Sequence, residues 1–126
     1  EATLVSENHQ VVPQGDAPIL SWEKVDPMPV YKEGGGVRLY HTHFQGNQGD
    51  TGLQWVDLGY DLLPMGESQM ILPSPGTCLA TPLGECYMDP AFFHAEDGKI
   101  YLYFTDAVFQ ETSFTVGISR ALAVDI

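Results

Sequence analysis

An all-β chain made of two similar units is the fold class this sequence predicts, and three observations carry that prediction. The first is an internal repeat. At an offset of 63, residues 26–42 align without gaps on residues 89–105, with identities at Asp26/Asp89, Pro27/Pro90, Glu33/Glu96, Gly35/Gly98, Leu39/Leu102, Tyr40/Tyr103 and Thr42/Thr105. The second is local composition: β-branched and aromatic residues gather in short runs that follow glycine turns. The third is punctuation, since 13 Gly and 9 Pro interrupt the chain and no stretch shows a capped pattern of 3.6-residue period at helical length. The offset is half of the 126 residues, so the units are expected at 1–63 and 64–126, together forming one domain.

The elements follow in order. Residues 18–25 read as a first strand. Residues 37–44 follow the turn Gly34-Gly35-Gly36, residues 53–58 alternate around Trp55, and residues 69–72 form a short apolar run. In the second half, residues 99–105 follow Glu96-Asp97-Gly98, and residues 114–119 close the set. About four short strands per unit suit two β-propeller-like blades, in which radial stacking protects the strand edges. Two blades cannot close a ring, so other copies or other chain segments are expected to complete it. The expected route is head to tail, with the strand before Val25 pairing on the last blade of a neighbouring copy to give a ring or a filament.

Charge and hydropathy exclude several functions. Asp plus Glu number 17 against 5 Lys plus Arg, a net charge of −12, which repels phosphate backbones and argues against nucleic acid as a partner. No apolar run reaches the roughly 18 residues of a membrane-spanning helix, so no membrane span is expected. Glycine-rich phosphate loops, Gly-x-Ser-x-Gly elbows and His-Glu-x-x-His motifs do not occur. The chain begins at Glu1 without a basic and apolar leader, as a processed or excised segment would. Cys78 and Cys86 lie in a stretch read as a loop. A local disulfide is expected there, against two buried thiols as the alternative, and it would imply an extracellular or cell-surface location.

Several residues carry a family likeness. The segment Met88-Asp-Pro-Ala-Phe-Phe-His-Ala-Glu-Asp-Gly-Lys-Ile-Tyr-Leu-Tyr-Phe-Thr105 resembles a blade motif of the five-bladed β-propeller glycoside hydrolases, family 43 and relatives such as family 32. Residues 115–119 and 52–63 are similar to the strands that follow and close such a blade. The resemblance covers about two blades, residues 20–63 and 84–120. It implies glycan as partner and a set of three carboxylates: a base, an acid, and an aspartate that tunes the acid. Asp89 matches the tuning aspartate, and Asp26, at the same place in the other unit, corresponds to the base. No Glu matches the general acid. Glycosidic cleavage needs a proton donor opposite the base, so the implied function is a secreted carbohydrate-binding or incomplete catalytic unit. The alternatives are a fragment of an active glycoside hydrolase using Asp26 and Asp89, and a structural subunit of an extracellular filament. A turn-capping role is the plain alternative for both aspartates.

Other residues suit sugar contacts. His41 and His43 alternate on one strand and share a face, where they contact sugar or, with His94 or Asp50, hold a metal. Trp55 and Tyr60 offer flat faces for sugar stacking, against the ordinary role of filling space between sheets. No cofactor is expected. Acidic turns at residues 46–50, at Glu96-Asp97 and at Asp106 suit Ca²⁺ only loosely, because none follows the EF-hand spacing.

Overall fold

Two antiparallel sheets form from seven strands in the computed structural model of the chain, which describes residues 12–13, 15, 17–20, 23–45, 49–78 and 84–123. The first sheet has the order β1 (Lys24–Tyr31), β2 (Val37–His43), β3 (Gly52–Leu58), β4 (Gln69–Pro73). The second has the order β5 (Gly84–His94), β6 (Ile100–Phe109), β7 (Phe114–Ala123). Among the described residues there is no helix, and none long and apolar enough to cross a membrane.

The all-β expectation holds, with local corrections. The first strand starts at Lys24 and runs through Asp26-Pro27, whereas residues 17–20 lie outside any strand. Proline is tolerated there because β1 is an edge strand, so Pro27 and Pro29 need not donate to a second neighbour. The stretch around the cysteines is not all loop either, since β5 already begins at Gly84 and includes Cys86. Finally, β4 lies in the second half of the chain yet completes the first sheet.

Pairing in the two sheets keeps the sequence offset. Val25 faces Thr42 and Met28 faces Tyr40, while Met88 faces Thr105 and Ala91 faces Tyr103. The register slips at the same place in both, between Val25 and Met28 and between Met88 and Ala91. Each slip is a β-bulge formed by an Asp-Pro pair. Asp26 and Asp89 adopt left-handed backbone conformations there, with φ of 57° and 55°. Asp is among the few residues with a side chain that enter this region readily.

The sheets meet through non-equivalent faces. Tyr40 and Thr42 of β2 point toward the second sheet, with the Tyr40 ring 4.5 Å from that of Phe92. Leu102 and Phe104 of β6 point back toward the first sheet and join Leu53 in the core, packed by Leu72, Tyr87, Phe92 and Ala121. Each fully buried aliphatic or aromatic side chain of this kind contributes about 1.5–3 kcal/mol. Along β2 the side chains alternate, so Leu39, His41 and His43 lie on the opposite face of the first sheet.

Candidate carboxylate site

A crossing link after β4 sets the two bulges beside each other. Ser74 donates its N–H to the Thr51 carbonyl at 2.8 Å, and its hydroxyl accepts the Tyr87 N–H at 2.9 Å. Gly76 donates to the Glu85 carbonyl at 3.2 Å, and the Thr51 hydroxyl donates to the Gly76 carbonyl at 3.0 Å. The Cys78–Cys86 disulfide then closes the link onto β5. Closing so short a loop contributes about 2–3 kcal/mol by the chain-entropy account. Its anchors are in the interior: Thr51 and Cys86 are fully buried and Ser74 is buried, whereas Pro75 is exposed.

Held in this way, Asp89 reaches the first sheet. Its N–H donates to the hydroxyl of Thr42, itself fully buried, at 3.1 Å. The Asp26 carboxyl lies within hydrogen-bonding reach of both the Thr42 hydroxyl and Asp89. Burial pushes the Asp26 carboxyl above the usual carboxylate range. The Thr42 hydroxyl works against that shift, and the neighbouring Asp89 adds to it. The arrangement is a pair of neighbouring carboxyl groups, one, Asp26, half-buried and the other, Asp89, exposed.

The remaining sequence candidates do not converge on this pair. His41 and His43 lie on the face of β2 turned away from Thr42. His41 is buried, and its Nε2 lies 2.8 Å from the Ser68 hydroxyl. Its pKa falls to about 4, first because of burial, and burial also lowers that of His43. Trp55 does line the space between the sheets, but the Arg38 guanidinium covers one face of its ring at 3.5 Å from the centroid. Arg38 is held there by Asp57 at 2.8 Å. Tyr60 is exposed in the turn after β3, beside the Val37 end of β2. Five residues of extended chain, about 17 Å, separate that end from Thr42. Among the described residues, no three His, Cys, Asp or Glu side chains gather to hold a metal ion.

A second carboxyl pair was not singled out from the sequence. Glu85 interacts with Asp106, and its pKa is raised by burial and then by that neighbour. The cross-strand register of β5 and β6, which sets Asp106 opposite Tyr87 and Glu85 two pairs along on the same face, is the signal that finds it. Four residues of strand, about 13 Å, separate Glu85 from Asp89. Comparison with protein-family models, with curated proteins and with solved structures finds no match to this chain.

Proposed function

We propose that the chain is a carbohydrate-handling unit of the propeller glycoside hydrolase type, in which Asp26 and Asp89 together grip a sugar hydroxyl. The contact between the two aspartates, which lie at corresponding bulges in left-handed conformations, is the observation that carries this reading. Non-glycine residues in such conformations cost about 1–3 kcal/mol each, and strain of that kind clusters at functional sites. Burial favours the protonated form of Asp26, which offers a donor beside the acceptor oxygens of Asp89 and so matches a hydroxyl that must accept one hydrogen bond and donate another.

The geometry also limits the chemistry. Carboxyl groups within hydrogen-bonding reach are closer than the roughly 5 Å that even a retaining pair keeps. They therefore work on one side of a glycosidic bond, with Asp26 as base and Asp89 as its partner, and binding without turnover is the expected behaviour of the chain alone. The common register of the two sheets supports their reading as propeller-like repeats. In this reading the repeats are completed by head-to-tail assembly with further copies. The disulfide favours an extracellular setting.

The test is calorimetric titration with arabino-, xylo- and fructo-oligosaccharides beside hydrolysis assays on aryl arabinosides and xylosides. Saturable binding that Asp89→Asn weakens at least about tenfold, without turnover, supports the proposal. Turnover lost in Asp89→Asn would instead make the chain a glycosidase in its own right. The absence of both binding and turnover overturns it.

A further inference from the structure

Between the two sheets lies a cavity of about 520 Å³, walled by Trp55, Ile71 and Leu72 from the first sheet and by Leu102 and Ala121 from the second. That volume is in the range of small-molecule sites, roughly 300–1,000 Å³, whose walls are mostly apolar with a few placed polar groups. Among the described residues, Arg38 is the one charged group on this wall. Met70 and Ile71 on the same wall are exposed, so a ligand can enter from solvent there. A second cavity, of about 380 Å³, shares Arg38, Tyr40 and Phe92 with the first and adds Lys32, Glu33 and His94. An apolar space and a charged mouth thus have one wall in common.

The charge at that mouth is specific. Asp57 accepts hydrogen bonds from Nε and Nη2 of Arg38, at 2.8 and 3.3 Å, and lies 3.2 Å from Nζ of Lys32. One carboxylate therefore serves two cations, in a chain that has only 5 Lys plus Arg against 17 Asp plus Glu. Glu33 is exposed and makes no ion pair among the described residues. The Trp55 ring, 3.5 Å from the Arg38 guanidinium, fixes that cation beside the apolar space.

We infer that this cavity binds an anionic amphiphile, a medium-chain monocarboxylate whose tail lies between the sheets and whose carboxylate meets Lys32 and Arg38. A second carboxylate at the mouth matches two cations with two anions, and the planar guanidinium suits carboxylate geometry. The tail leaves water for an apolar space. At physiological salt, charges beyond about 8 Å are largely screened, so the two cations at the mouth outweigh the distant acidic surface. The site is separate from the Asp26 and Asp89 pair and independent of the proposed sugar chemistry.

Calorimetric titration with decanoate below its micelle concentration tests this, beside decanol and decyltrimethylammonium. Decanoate should bind saturably and at least about tenfold tighter than either analogue, the scale of one hydrogen bond to a charged group. Lys32→Gln should remove most of that preference and leave decanol binding unchanged. Ala121→Phe should block decanoate by filling the space between the sheets. Ala121 packs against the core, so Ile71→Trp, at an exposed position on the same wall, provides a second block if Ala121→Phe does not fold. Absence of saturable decanoate binding, equal binding of either analogue, or binding that persists in the folded blocking variants would overturn the inference.

Discussion

The backbone N–H of Asp89 donates to the Thr42 hydroxyl across the two sheets, 47 residues apart in sequence, and the same hydroxyl lies within reach of the Asp26 carboxyl. One buried side chain therefore sets the relation between the two bulges. Thr42→Val keeps the shape but leaves the Asp89 N–H without that acceptor, at a cost of about 1–3 kcal/mol. Chemical denaturation should show this loss, and carboxyl-carbon NMR should show the Asp26 titration moving further up, because the Thr42 hydroxyl holds it down. Thr42→Ser should restore the Asp26 titration; an Asp26 titration unchanged in Thr42→Val would refute the role.

Asp26 has a pKa raised by burial and by Asp89, so its protonated form favours the folded state. Its contribution to stability is fully present below the unfolded-state pKa, near 3.8, and is lost as pH rises through the higher folded-state value. Asp26→Asn removes the buried charge, and Asn accepts the left-handed backbone as well as Asp does. The variant should melt higher than the parent at pH 7 and bind sugar more weakly, a trade expected of a site residue. Equal or lower melting temperatures at pH 7 would count against the raised pKa.

His41 behaves with the opposite sign. Its folded-state pKa of about 4 lies below the ordinary 6.5, so the neutral ring favours folding. That contribution is present above pH 6.5 and is lost as pH falls through about 4. Nitrogen-detected NMR of the imidazole should find one ring neutral throughout pH 5–7. A His41 ring titrating near 6.5 would show that the group is not held in the interior.

Gly52 and Gly117 face corresponding partners yet have opposite surroundings. Gly52→Ala meets the β4 backbone and has φ of 143°, a value that side chains resist. It should cost several kcal/mol, on the scale of overpacking combined with backbone strain. Gly117→Ala should be neutral or stabilise by roughly 0.5–1 kcal/mol, because Ala lowers the entropy lost on folding. Equal effects at the two positions would mean that the strands around them are not arranged as described.

Parts of this molecule are legible in its residues. The runs at β2, β3, β6 and β7 announce themselves by β-branched and aromatic content, and the offset of 63 already contains the pairing register, because like sequences around an Asp-Pro bulge make like ladders. The cysteine pairing is legible as well, since only two cysteines exist and they lie eight residues apart. The contact of Asp26 with Asp89 is not. It depends on how one sheet stacks on the other, which Thr51, Ser74 and Gly76 set through hydrogen bonds that no periodicity announces. The fate of Trp55 is equally a matter of packing, because Arg38 lies across its ring only once β2 and β3 pair. Strand identity follows from the residues themselves, since it is local and periodic. The site belongs to the tertiary structure, because its two carboxyls come from different sheets and meet only where buried hydroxyls, a disulfide and non-equivalent faces bring those sheets together.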